Sequence, residues 1–244
     1  MTPALCAHRG LSHACPENTL PAFASALTVG AQEIELDARL TKDGVPVVCH
    51  DETVDRTTNG KGAIRDLDWS HIRRLDAGSS CDPKWRGVRM PSLEEVLELV
   101  AGRAAINLHV KDDGDTAGLI RKTCDLVRKH HQSETVYLAL ESAASLTAAV
   151  NYAPEIARCC LVSQDDSERQ IAVAKEFGCA RLQFFRQVTA RQIEKARNAG
   201  LVCNLFWSDE IEDALGYLKL GIDVVLTNCA HHLLADGFFE RRDG

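Results

Sequence analysis

Two carboxylates spaced two residues apart, and a histidine that a tight turn would return beside them, mark the stretch from Glu33 to Asp51. It alternates apolar and polar residues through Leu40, turns at Asp43-Gly44, and alternates again to His50, as an extended hairpin does. Period-two geometry puts Glu35, Asp37 and Arg39 on one face of the first arm. The turn brings His50 back to the level of Asp37. Paired carboxylates at this spacing suit a hard divalent cation, and a histidine beside them is a candidate proton carrier. A solvated edge hairpin with scattered charges would alternate in the same way, so this stretch alone leaves both readings open.

The N-terminus adds a second cluster. Leu5-Cys6-Ala7 leads into His8-Arg9-Gly10, which places a titratable ring and a fixed cation at the carboxyl end of a short apolar strand. Ligands sit at that end in α/β folds. Pro16-Glu17-Asn18-Thr19 then reads as a loop and helix start, with Asn18 or Thr19 as the cap. A second histidine near two acids favours chemistry over a structural role for His8.

With these residues in view, the chain resembles the glycerophosphodiester phosphodiesterases. The matching motifs are His8-Arg9-Gly10, Glu17-Asn18-Thr19, Glu35-Leu36-Asp37, Thr41-Lys42-Asp43-Gly44, His50-Asp51, Asp55 to Gly60, Leu75-Asp76-Ala77-Gly78 and Pro91 to Glu95. They fall in order over the first hundred residues. Agreement is weaker through Asn107 to Lys111, Gly221-Ile222-Asp223 and Thr227-Asn228. The resemblance implies a metal-dependent hydrolase that releases glycerol 3-phosphate and an alcohol. His8 and His50 would be its acid–base pair, Arg9 and Lys111 its phosphate contacts, and Glu17 a residue that helps shape the site.

Elements that would position these groups alternate regularly. Strands are expected at Ala4 to His8, Glu33 to Leu40, Ala105 to Lys111, Val136 to Glu141, Ala157 to Ser163, Ala180 to Phe185, Val202 to Trp207 and Asp223 to Thr227. Helical patterns fall between them, and a last one runs from Ala230 to Phe239. This alternation predicts right-handed crossovers and a parallel sheet, and its eight repeats fit a closed (β/α)₈ TIM barrel. The hairpin arm Val45 to His50 is extra. The segment of about 51–90 is too long for an ordinary loop and reads as an insertion after the second barrel strand, where the family carries a small subdomain. The expected organisation is thus one domain over 1–244.

The third barrel strand departs from the family. Alternation points Asn107, His109 and Lys111 inward, and the family usually has a glutamate where this chain has His109. With Glu35 and Asp37, the cation site becomes two carboxylates and one imidazole. The family implies Mg²⁺ or Ca²⁺, whereas a nitrogen ligand shifts the expectation toward Mn²⁺, Co²⁺ or Zn²⁺. The other reading makes His109 a hydrogen-bonding residue near the mouth. Glu141 could lend a further carboxylate or merely start a helix. Phe206 stands where the family often has an inward tryptophan, an apolar wall for glycerol, which leaves Trp207 facing the helices.

Such residues suit phosphodiester cleavage. Negative charge grows on the phosphate oxygens as the bond breaks, and Arg9, Lys111 and a cation can neutralise it. One histidine must take a proton from the attacking oxygen and the other must return one to the leaving alcoholate. In the family the glycerol 2-hydroxyl attacks first and a cyclic phosphate forms. A lysophospholipase D acting on larger lipids, or a barrel that binds glycerol phosphates without cleaving them, would use much of the same residue set.

Composition narrows the remaining classes. The 244 residues are 45% hydrophobic and 26% charged with net charge −7, which suits one core-forming domain. No basic stripe for nucleic acid is present, and no apolar run approaches the ~20 residues of a membrane span. The first strand begins too early for a secretory signal, so a complete chain is expected in the cytoplasm. The ten cysteines include no Cys-x-x-Cys and are expected as reduced thiols. Most should be buried, with Cys15 and Cys81 exposed in loops. Cys159 and Cys160 should point to opposite sides of their strand. His130-His131 and His231-His232 resemble metal pairs, but adjacent helical residues share no face, and both pairs are expected at the surface. Asp112-Asp113 reads as a solvated loop.

Overall fold

The computed structural model describes residues 3–112, 114–235 and 238; Asp113 and the end of the last expected helix lie outside them. Strand β1 (Ala4–Ala7) precedes helix α1 (Leu20–Val29), strand β2 (Glu33–Leu40) and the short strand β3 (Pro46–Val48). Helix α2 (Trp69–Ile72) and helix α3 (Leu93–Val100) follow. From there strands and helices alternate: β4 (Ala105–Val110), α4 (Thr116–Lys129), β5 (Val136–Leu140), α5 (Ala143–Tyr152), β6 (Ala157–Cys160) and α6 (Ser167–Glu176). The chain finishes with β7 (Arg181–Phe185), α7 (Ala190–Asn198), β8 (Val202–Phe206), α8 (Ile211–Leu220), β9 (Val224–Thr227) and α9 (Ala230–Ala235).

Sheet order runs β1-β9-β8-β7-β6-β5-β4-β2-β3, and β1 also pairs with β2. Among the described residues this closes an eight-stranded parallel TIM barrel, to which β3 is added antiparallel on β2. The eight expected strands all form, several ending a residue or more early at their carboxyl ends. Alternation along β2 explains its two faces. Ile34, Leu36 and Ala38 are fully buried against the helices, each larger side chain contributing roughly 1.5–3 kcal/mol by leaving water. Glu33, Glu35 and Asp37 point into the barrel. The vicinal cysteines divide as expected: Cys159 joins the interior cluster and Cys160 the helix–sheet layer.

The hairpin turn is held by its own side chains. Gly44 has φ +77°, a left-handed conformation open to glycine at little cost. The Thr41 hydroxyl donates to Asp43 Oδ1 (2.6 Å), which also accepts the Trp69 N–H (2.9 Å). Between β3 and α3 the chain builds a small apolar cluster from Val47, Cys49, Val54, Ile64, Ile72, Ala77 and Met90. Asp76 organises its far side by accepting the N–H groups of Gly78, Ser79 and Gly87, each at 2.9 Å. Helix α3 then starts with a reciprocal cap: Glu95 accepts the Ser92 N–H (2.8 Å) while the Ser92 hydroxyl accepts the Glu95 N–H (3.2 Å), an arrangement worth about 1 kcal/mol.

Three local expectations are corrected. Thr19 occupies the cap position of α1, but its hydroxyl turns back to the Pro16 carbonyl (2.6 Å). Cys15 is buried, tucked beneath α1 with its thiol on the Ser25 hydroxyl (3.5 Å). Trp207 does not join the helix layer. Strand β8 stops at Phe206, so alternation no longer governs its neighbour, and Trp207 packs with Phe206 against Cys6, Val224 and Leu226. All ten cysteines are free, and Cys81 is exposed as expected.

Candidate active site

The carboxyl ends of the barrel strands bring His8, Arg9, Glu35, Asp37, His50, His109, Lys111 and Phe206 to the wall of one cleft of about 200 Å³. Leu161, Gln164, Gln183, Phe185 and Leu226 complete it. Glu17 stands just outside and reaches in through Arg9. Each candidate catalytic, phosphate-contacting or metal-ligating residue lines this mouth or, as Glu17, borders it.

The loop after β1 is shaped for the site. Arg9 and Asn18 both have φ +57°, costly for a non-glycine residue and found where function constrains the backbone. A Cβ on Gly10 would meet the Ala22 backbone at 2.7 Å, so the loop requires glycine there. This path aims the Arg9 N–H at Glu35 Oε2 (3.0 Å) and its guanidinium at Glu17 (2.9 Å) and Asp37 (3.5 Å). The Asn18 side chain does not cap α1; it donates to Asp37 Oδ2 (2.9 Å).

Glu35 and Asp37 are both buried, at 4% and 1% exposure, and their surroundings pull them apart. Burial, reinforced by the charge of Asp37, raises the pKa of Glu35. Burial also pushes Asp37 up, but neighbouring His109 and the Lys111 charge outweigh it and hold its carboxyl well below the usual range. Asp37 Oδ1 lies 3.0 Å from Lys111 Nζ and 3.4 Å from His109 Nδ1. Glu35, Asp37 and His109 present three donor atoms, all within 4.8 Å of one another.

Glu141, at the end of β5, sets the orientation of His109. Its Oε2 lies 3.1 Å from His109 Nε2, and the His109 hydrogen bond brings Glu141 down to about 2. Lys111 Nζ donates to His109 Nδ1 at 2.9 Å, which places the ring proton on Nε2, toward Glu141. Nδ1 is thereby left as an acceptor, beside Asp37. Burial opposes a charge on His109, yet the carboxylates of Asp37 and Glu141 prevail and raise its pKa. A carboxylate behind a ligating histidine has this effect in metal sites. Two adjacent buried carboxylates with one oriented imidazole fit a single divalent cation.

The two candidate proton carriers are fixed differently. His8 Nδ1 donates to Asn228 Oδ1 (2.8 Å), and the Asn228 amide is itself oriented by donating to Asp209 (2.9 Å). The other His8 nitrogen, Nε2, lies 3.9 Å from Glu35. His50 Nδ1 donates to Asp51 (2.8 Å), and the His50 carbonyl accepts two bonds from Arg39 (2.7 and 3.0 Å). Burial lowers the His50 pKa despite Asp37 and Asp51. Arg56, from the insertion, clamps Asp51 and Glu17 with four bonds of 2.7–3.0 Å. Phe206 meets the His8 ring edge-on at 5.2 Å, and Phe185 stands 6.2 Å from Phe206.

Sequence reasoning missed Asn228, Arg56 and Phe185 as members of this mouth. Asn228 and Arg56 lie within family-like motifs, which was the only signal available. Phe185 could have been found by counting two residues on from Gln183 along β7.

Comparison with known proteins agrees with this fold. The model of the glycerophosphoryl diester phosphodiesterase family matches residues 8–231. A glycerophosphodiester phosphodiesterase of Caldanaerobacter subterraneus is 34% identical over 225 residues, spanning 91% of this chain and 92% of its own. A phosphodiesterase of Oleispira antarctica, solved with the product sn-glycerol-3-phosphate, superposes with a TM-score of 0.88 at 26% identity over 96% of both chains. The Agrobacterium tumefaciens glycerophosphodiester phosphodiesterase gives a TM-score of 0.85 at 30% identity over 96% of this chain and 100% of its own. The chain belongs to the glycerophosphoryl diester phosphodiesterase family and is a phosphoric diester hydrolase. Among the described residues, no helix is long and apolar enough to cross a membrane.

Proposed function

We propose that this enzyme hydrolyses small glycerophosphodiesters to sn-glycerol 3-phosphate and an alcohol with one divalent cation, His8 and His50 carrying the protons. The observation that carries this reading is the convergence of both histidines, both acids, His109 and Lys111 on one cleft. It also takes 1–244 as a single domain, with an insertion at about 51–90 that supplies Arg56 to the mouth.

Glu35, Asp37 and His109 would hold the cation, which when bound supplies positive charge to substrate oxygens and lowers the pKa of a coordinated hydroxyl. Arg9 and Lys111 share the phosphate charge as it grows in the transition state. His50, kept neutral by burial, has its Nδ1–H committed to Asp51, so its Nε2 is free to accept the proton of the attacking 2-hydroxyl of glycerol. His8, held through Nδ1 by Asn228, presents Nε2 to the departing alcohol. In the second half the roles reverse, as water opens the cyclic phosphate. Phe206, with Phe185 beside it, walls the glycerol.

Glycerophosphocholine supplied to the enzyme with metal should yield sn-glycerol 3-phosphate and choline. Phosphorus NMR should show a transient five-membered cyclic phosphate, most visible in a variant slow in the second half. Release of phosphocholine instead would overturn the proposed bond cleavage. Turnover confined to lysophosphatidylcholine would move the enzyme to the lysophospholipase D reading.

A further inference from the structure

A second set of metal-ligating side chains lies beside the mouth and takes no part in the chemistry above. His13, Cys229 and His232 present one imidazole nitrogen, one thiol sulfur and a second imidazole nitrogen, all within 4.8 Å of one another. They come from two segments that meet at the carboxyl ends of neighbouring strands. His13 belongs to the loop after β1. Cys229 follows β9, and His232 is three residues further along, on the first turn of α9. Three residues is the spacing that puts two helical side chains on one side. The His232 N–H donates to the Cys229 carbonyl (2.8 Å) within one segment, and the His13 N–H donates to the Asn228 carbonyl (3.2 Å), which joins the two segments.

The neighbouring His231 stands against this cluster. Its ring lies 4.0 Å from His232 and 5.9 Å from His13, which is itself 5.4 Å from His232. The Nδ1 of His231 is buried and has no hydrogen-bond partner, an arrangement that calls for an explanation such as an ion. Among the described residues, none of the three rings pairs with a carboxylate.

We propose that His13, Cys229 and His232 bind a second metal ion, and that the ion is Zn²⁺. One thiolate and two imidazoles suit a borderline-soft tetrahedral ion rather than Mg²⁺ or Ca²⁺. Ligand atoms within 4.8 Å need only small side-chain rotations to reach bond lengths of about 2.0–2.3 Å. Binding displaces the Cys229 thiol proton to solvent as the sulfur–metal bond forms. Held from both segments, the ion is a staple between the loop carrying His8 and the turn carrying Asn228, the residue that holds His8. The site is independent of the catalytic reading and contains no carboxylate.

Sulfur separates this site from the mouth, whose ligands are oxygen and nitrogen only. Metal-free full-length protein, kept reduced with a non-thiol reductant, should be titrated with Co²⁺ while near-ultraviolet and visible absorption are recorded. A sulfur-to-cobalt charge-transfer band with tetrahedral ligand-field bands is expected, saturating by two equivalents, of which the mouth takes one, and erased by Zn²⁺. Glu35→Gln should keep the band and Cys229→Ser should lose it. His232→Ala, at an exposed position that should not disturb folding, should weaken Co²⁺ binding at least tenfold. Absence of the band in the wild type would overturn the proposal. So would its survival in folded Cys229→Ser, which would assign it to another thiol such as Cys81, or unchanged affinity in His232→Ala.

Discussion

The two ends of the barrel interior use the same residue types for opposite purposes. At the lower end Glu33 accepts from Tyr137 (2.6 Å) and Arg181 (3.0 Å), Asn204 donates to the Tyr137 hydroxyl (3.0 Å), and the Arg181 guanidinium lies 4.1 Å over the tyrosine ring. One acid meets one base and the layer is closed. At the upper end the same strand offers Glu35 and Asp37 side by side, the first pushed up by burial and the second pulled down by His109 and Lys111. That layer opens to a cleft. A buried charge with a matched partner is structure; two buried acids with oriented bases and room beside them make a site for ions and phosphate.

The sharpest way to break the comparison is to remove a proton carrier from the open end. His8→Ala and His50→Ala should each lower kcat by about 10²–10⁴-fold with unchanged circular dichroism. Substantial turnover in either would remove that histidine from the pair. Next comes the closed end. Arg181→Ala leaves Glu33 buried without its cation and should cost roughly 3–5 kcal/mol in urea unfolding, while kcat per folded molecule stays near wild type. A large kcat loss with intact stability would mean that the lower layer is not merely structural.

Two smaller effects sharpen the picture. Glu141→Gln keeps the shape behind His109 but removes the charge, and should weaken metal binding 10–100-fold; unchanged affinity by titration calorimetry would free His109 from a ligand's role. The smallest effect belongs to the Arg56 clamp. The Arg56 hydrogen bond lowers Asp51. Burial raises Glu17, but Arg56 and Arg9 outweigh it and lower its pKa. Both acids have folded pKa values below their unfolded ones, so their stabilisation is complete above about pH 4 and fades as pH falls through the folded values. Arg56 is nearly half exposed, so its pairs contribute about 1 kcal/mol or less. The urea midpoints of wild type and Arg56→Gln should converge between pH 7 and pH 3; a constant gap would contradict the linkage.

Periodicity carried much of this in advance. Alternation over Glu33 to Leu40 separated Ile34, Leu36 and Ala38 from the three acids, and alternation over Asn107 to Lys111 turned His109 and Lys111 inward. What stayed hidden depends on distant partners. Asn228 reaches His8 across 220 residues of sequence, and no local pattern says that an asparagine after the last strand will hold a histidine after the first. Asn18 looked like a helix cap because its competing acceptor, Asp37, is visible only in three dimensions. Cys15 sits in a loop, but α1 folds over it. His232 lies at the surface as its pattern suggests and His231 is half-buried; only the fold brings His13 and Cys229 beside them.

The most direct measurement is release of sn-glycerol 3-phosphate from glycerophosphocholine by chelated wild-type and His109→Glu enzyme, each resupplied in turn with Mg²⁺, Ca²⁺, Mn²⁺, Co²⁺ or Zn²⁺. Wild type should be silent after chelation and recover best with Mn²⁺, Co²⁺ or Zn²⁺, while His109→Glu should shift toward Mg²⁺ or Ca²⁺. Full turnover by the chelated enzyme, or an identical metal profile in the variant, would contradict a cation held by Glu35, Asp37 and His109.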